Sequence, residues 1–162
     1  MRRGYSLMEI VVAVGLVMAF VSSIVAASHF ELKAVNESAR KGKAAFLLEE
    51  GLEAVRILRD RGWSDNIGPL VSGSTYYPVF SINWKVVATD PGLIDGLFTR
   101  TVVFDDVWRR NSDSDIVDVS SGDAKTLDPN TKQVTVTVSW PGPGGAAREE
   151  SIATYLTNIF QN

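Results

Sequence analysis

The chain lacks cysteine altogether, and histidine occurs once, as His29. Without cysteine it has no disulfides, thiolate metal sites or thiol nucleophiles. One histidine leaves almost no material for a nucleophile–base pair or a zinc site. The net charge of −3, with no cluster of basic and aromatic residues, gives no reason to expect nucleic acid as a partner. The acids of Asp105–Asp106 and Glu149–Glu150 are adjacent and would point to opposite faces of a strand, so we do not expect an enzyme.

An apolar run of eighteen residues, 10–27, contains no charged residue. A helix over residues 5–27 would be about 35 Å long, close to the ~30 Å hydrocarbon core of a bilayer. Three interpretations fit: a Sec signal peptide cleaved at the end of the run, a twin-arginine export signal starting at Arg2 and Arg3, or a signal anchor whose leader arginines stay in the cytoplasm. The run is longer than the h-region of about 7–15 residues in a Sec signal.

One acid, Glu9, stands immediately before this run. An unpaired carboxylate in a membrane helix costs on the order of a few kcal/mol, so such an acid is by default a functional residue with a partner. The available cations are the leader arginines and any amine that cleavage of the chain would create. The alternative is that Glu9 simply lies at the headgroup edge of the bilayer.

The sequence GYSLME at residues 4–9, followed by an uninterrupted apolar helix, resembles the class III signal of type IV prepilins and pseudopilins. The resemblance implies that a prepilin peptidase cleaves after Gly4, that Tyr5 becomes the N-methylated N-terminus, and that Glu9 acts in assembly. The family usually has Phe where this chain has Tyr5. Its major pilins tend to carry a proline late in the membrane segment, and its absence here favours a minor pilin or pseudopilin.

The chemistry of the motif is consistent with polymerisation. In a medium of low dielectric constant, the carboxylate of Glu9 in one subunit and the new ammonium of Tyr5 in its neighbour can neutralise each other, where each alone would be costly. Such a pair would set the register between subunits, as a buried polar residue does in a coiled coil.

The resemblance implies a structural subunit of a type IV pilus, a competence pilus or a type II protein secretion system. The expected partners are other pilin subunits in a helical filament, prepilin peptidase, an inner-membrane assembly platform and, before assembly, the lipid bilayer. The expected location is the cytoplasmic membrane, as a single span with the N-terminus inside, and then an extracellular or periplasmic filament. The alternative function is a single-pass membrane-anchored protein whose head binds an extracellular ligand.

Beyond the apolar run, residues 28–62 contain no proline and are rich in good helix formers. Apolar residues recur there at steps of three and four, which predicts an amphipathic continuation of the helix that packs on the head: Ala44, Leu48, Leu52, Val55 and Leu58. Gly62 is the expected stop. Three internal glycines are candidate points of bending or melting: Gly15, Gly42 and Gly51.

After Trp63 the pattern changes to strands and turns. Period-two alternation and turn residues predict four strands, at about residues 82–89, 99–108, 133–140 and 149–156. Four strands after one long helix predict an α+β fold, with an antiparallel sheet packed on the helix. The predicted organisation is a leader at 1–4, a transmembrane or filament-core helix at 5–27, its amphipathic continuation at 28–62 and a β-sheet head at 63–162.

The segment 109–132 is polar and is predicted to be an irregular loop. Oxygen ligands occur in it at nearly alternate positions, which is a weak indication of calcium binding: Asn111, Asp113, Asp115 and Asp118. The glycine that would let a calcium loop turn is missing after Asp115. No other metal or cofactor is expected.

Overall fold

The computed structural model describes residues 7–160. The leader arginines Arg2 and Arg3, and the residues Gly4 and Tyr5 at the predicted cleavage site, therefore lie outside the described residues. The chain forms two units, which are described separately below.

The N-terminal unit ends at Gly42, and all of its described residues belong to helix α1, Leu7–Arg61. No proline interrupts this helix, and alanine, leucine and other good helix formers are frequent along it. Side chains of this unit from residue 7 onward are exposed, apart from the half-buried Glu37 and Arg40. The unit therefore has no core of its own among these residues.

The second unit begins at Lys43 and combines the C-terminal part of α1 with a sheet. As predicted, α1 ends immediately before Gly62, whose φ of 148° is unfavourable for a residue with a side chain. The N–H of Gly62 donates to the carbonyl of Arg59 at 3.2 Å. A short helix α2, Trp63–Asn66, follows.

The sheet has six strands, two more than predicted. In chain order they are β1 Thr75–Phe80, β2 Trp84–Val87, β3 Thr99–Arg110, β4 Ile116–Val117, β5 Lys125–Pro141 and β6 Ala147–Thr157. All pairings are antiparallel in the order β2-β1-β3-β5-β6, and β4 pairs with the end of β3. The α+β class with the helix on an antiparallel sheet is confirmed, and the strand number of four was wrong.

The strand prediction failed where polar residues and proline hide the alternation. Strand β1 contains Pro78, and β4 has only two residues. Strand β5 starts eight residues before the predicted start at 133, inside the supposed loop, because the ladder with β3 resumes beyond an irregularity: Asp106 lies opposite Lys132, but Val107 lies opposite Asp128. Pro129 lies in the skipped segment, and proline cannot donate to a ladder.

The core of this unit lies between one face of the helix and one face of the sheet. The helix contributes apolar residues at the predicted spacing, and β3 and β5 contribute every second residue: Ala44, Leu47, Leu48, Leu52, Val55, Leu58, Val102, Phe104, Val134, Val136, Val138 and Trp140. Trp63, Ile67, Phe98 and Leu156 complete it. Such a core can stabilise the head domain without the exposed apolar run.

Candidate functional site: the exposed apolar helix and the head surface

The N-terminal part of α1 is long and apolar enough to cross a membrane. Its most apolar eighteen residues have a mean hydropathy of 2.7, and none of that window is buried. The large apolar side chains from Leu7 to Val25 are between 48% and 81% exposed. A buried core helix would have covered them, whereas a signal sequence near an N-terminus shares these properties, so the span is supported by length and composition alone.

Glu9 lies in the first turn of α1 and is exposed. A carboxylate there is favoured by the N-terminal end of the helix dipole. Within the described residues it has neither an ion pair nor a hydrogen bond. Its predicted partner, the amine of Tyr5, lies outside them, so the pairing remains a prediction.

The four calcium candidates do not converge on one point. Asp113 and Asp115 lie next to Arg110, and Asn111 and Asp118 accept hydrogen bonds from nearby side chains and backbone. Arg110 donates from Nη1 to Asp113 at 2.8 Å, and Asp115 lies 3.9 Å from the same nitrogen. Asp118 accepts from the N–H and the hydroxyl of Ser120 at 2.7 and 2.5 Å. Asn111 Oδ1 accepts from Thr126 at 2.8 Å. From residue 7 to 160, no three His, Cys, Asp or Glu side chains are grouped as a metal ion would need.

The same arrangement shifts the titration of the loop carboxylates. The pKa of Asp113 is lowered, first by the N–H of Asp115 and then by Arg110. The pKa of Asp123 is lowered mainly by Arg110, whose Nε donates to it at 2.9 Å, and secondly by Ser121. Arg110 therefore helps to keep Asp113 and Asp123 ionised.

Arg100 was not singled out by the sequence, although it joins the helix to two strands. Its side chain is 5% exposed and donates to Glu50 at 2.6 Å, to the carbonyl of Leu47 at 3.3 Å and to that of Pro78 at 3.3 Å. Its guanidinium also lies 5.4 Å from the ring centre of Trp84. The available signal was a charged residue in register with the inward-facing positions 102 and 104 of β3.

A cleft of about 600 Å³ opens on the head beside β3. Asp105 and Asp106 both line it, and β3 is irregular directly after Asp106. Asp106 accepts from Lys132 at 2.5 Å.

Comparison of the chain with protein-family models, with curated proteins and with solved structures found no match. The proposals below therefore depend on the chain's own residues.

Proposed function

We propose that the chain is a structural subunit, a minor pilin or pseudopilin, of a type IV pilus-like filament. The observation that carries the proposal is an acid in the first turn of an N-terminal helix whose large apolar side chains from Leu7 to Val25 are all exposed. The GYSLME motif before that helix supplies the family expectation.

Exposed apolar side chains over eighteen residues need either lipid or other helices around them. A membrane would cover them first, with Arg2 and Arg3 on the cytoplasmic side by the positive-inside bias. The same surface would later be covered by neighbouring subunits in the filament. The sheet domain, with its own core, would stay in water on the other side of the membrane.

Glu9 gives this helix a use that a plain anchor lacks. An ionised carboxylate in an apolar medium requires a partner of opposite charge. Cleavage after Gly4 would create an ammonium at Tyr5, four residues away in sequence. In a filament, the Glu9 carboxylate of one subunit would form an ion pair with the Tyr5 ammonium of the next. This pair would set the register between the two subunits.

Processing tests the proposal directly. The full chain is co-expressed with a prepilin peptidase, and its mass is measured with and without the enzyme. We expect the loss of residues 1–4 and the gain of one methyl group at Tyr5. Gly4→Leu should block cleavage, because a side chain at that position hinders approach to the scissile bond. Gly15→Ala, inside α1 with nothing within 4 Å of the new Cβ, is the control and should be processed normally.

Assembly is the second arm of this experiment. Glu9→Gln removes the charge and keeps the shape, so it should be cleaved but should not enter filaments. If the wild-type mass does not change with the peptidase, the pilin proposal is wrong. A monomeric, uncleaved membrane protein would favour the alternative of an anchored extracellular binding protein.

A further inference from the structure

Residues 43–61 of α1 present a second face that is not used by the core. It consists of Phe46, Glu49, Glu50, Glu53 and Arg56, and we call it the acidic face. At about 100° per residue these positions lie within roughly a third of the helix circumference. Phe46 is 71% exposed, and the face surrounds a shallow groove of about 430 Å³.

The charges of the acidic face are only partly compensated. Glu50 is paired with Arg100 at 2.6 Å, and Glu53 lies 3.5 Å from Arg56. Glu49 has no hydrogen bond or ion pair within the described residues. An exposed aromatic ring therefore lies beside an unpaired carboxylate on a surface with more acids than bases.

The N-terminal unit carries a face of the opposite sign. Phe30, Lys33, Glu37, Arg40 and Lys41 also fall within about a third of a turn of helix, and we call them the basic face. Phe30 is 75% exposed, and Lys33 and Lys41 are exposed. This face has three cations and one acid.

The two faces follow the same order of residue types, sixteen positions apart. Phe30, Lys33, Glu37 and Arg40 correspond in spacing to Phe46, Glu49, Glu53 and Arg56. The difference is one reversal of charge, Lys33 against Glu49. If two copies lie parallel with the basic face of one on the acidic face of the other, ring meets ring and Lys33 meets Glu49. The same register puts Glu37 opposite Glu53 and Arg40 opposite Arg56, so each acid has an arginine of the other copy about one turn away.

We propose that the acidic face is the docking surface for the basic face of a second copy of this chain, laid parallel, with Phe30 against Phe46 and Lys33 beside Glu49. This inference rests on the proposed function, because it requires copies that polymerise. It adds a specific contact outside the apolar run. Its offset is sixteen residues, whereas the pair of Glu9 and Tyr5 implies an offset of four, so it joins a different pair of neighbours in the filament. The charge reversal at Lys33 and Glu49 makes the pairing of unlike faces more favourable than the pairing of two acidic faces.

Cross-linking of the full chain in membranes that contain the assembly machinery tests this contact on a background free of cysteine. Two differently tagged copies are co-expressed, one with Lys33→Cys and one with Glu49→Cys. A thiol-specific reagent spanning about 8–10 Å, the usual distance between packed helices, is then added. We expect a product that carries both tags. Lys85→Cys, on exposed sheet residue 85, replaces Lys33→Cys in the matched control and should give none.

Charge reversal separates a direct contact between Lys33 and Glu49 from an effect of either substitution on folding. Lys33→Glu or Glu49→Lys alone should lower copurification of the two tagged copies roughly two- to fivefold, which corresponds to one exposed ion pair. Lys33→Glu in one copy together with Glu49→Lys in the other should restore it. Failure of this rescue would contradict the proposed pairing.

A separate cross-link distinguishes this inference from the proposed function. Val14→Cys in one copy and Met18→Cys in the other report contact through the apolar run at the four-residue offset that the pair of Tyr5 and Glu9 implies. If that product forms and the 33–49 product does not, the docking surface is wrong and the filament proposal stands. If neither forms and the leader is not removed, the filament proposal itself fails. Cross-linking of Glu49→Cys to a protein other than this chain would show that the acidic face has a different partner.

Discussion

Replacing Gly51 by alanine should destabilise the head, although alanine is normally more favourable than glycine inside a helix. A Cβ added at Gly51 would lie 2.8 Å from Cγ1 of Val136 and 3.0 Å from Cδ of Arg100. Val136 is fully buried, and the Arg100 side chain is fixed by three hydrogen bonds. Neither neighbour can withdraw freely. At Gly42, in the same helix, an added Cβ meets nothing within 4 Å.

The magnitude follows from two opposing contributions. Replacing glycine by alanine inside a helix gains about 1 kcal/mol. Inserting one methyl group into a well-packed core costs about 1–3 kcal/mol. Gly51→Ala should therefore destabilise the head by about 1 kcal/mol net, within a range of about 0–2. Gly42→Ala should leave the stability of the head unchanged or raise it by up to about 1 kcal/mol.

Urea unfolding of the full chain in detergent micelles measures this difference. The four tryptophans lie between positions 63 and 140, so their fluorescence reports unfolding of the head. Val136→Ala removes the atom that clashes, and in the double variant with Gly51→Ala the two costs should be less than additive. A Gly51→Ala variant as stable as Gly42→Ala, or more stable, would refute the argument from close packing.

Two further predictions concern the loop around Arg110. Because the folded-state pKa values of Asp113 and Asp123 are lowered, they stabilise the fold above their unfolded pKa of about 3.9, and this contribution is lost as the pH falls through the lower folded values. The melting temperature should fall below about pH 4, and Asp123→Asn should make that fall shallower in a pH series of thermal melts. Millimolar calcium should leave the melting temperature at pH 7 unchanged, since a guanidinium already lies among these acids; a clear rise would show that calcium displaces it.

The long helix could be predicted because its signals are local. An unbroken run without proline, periodic apolar residues from position 44 to 58 and a glycine at 62 each act over a few residues, and the helix ends where they indicate. The strands at residues 99–108 and 133–140 could also be predicted, since one buried face of a sheet imposes period-two alternation.

The remaining strands depend on partners that sequence periodicity does not reveal. Two-residue β4 exists only because Val117 and Ile116 lie opposite Trp108 and Arg109 of β3. The polar start of β5 is recruited by the end of β3 after the ladder skips three residues. The sequence suggested calcium ligands because only the oxygen-bearing side chains from Asn111 to Asp118 were considered. Arg110, which stands directly before Asn111, is the cation that these acids contact in the structure.

Gly51 and Arg100 each suggest the wrong structure when they are considered separately. A glycine in mid-helix suggests a bend, and an arginine in a strand suggests a solvent-facing position. In the structure the absence of a side chain at Gly51 leaves room for the methylenes of Arg100, whose guanidinium then bonds the helix at Leu47 and the strand at Pro78. An apolar residue at 100 could fill the space but could not donate to these carbonyls. Gly51 and Arg100 therefore connect the helix to the sheet through a contact that only the tertiary structure creates.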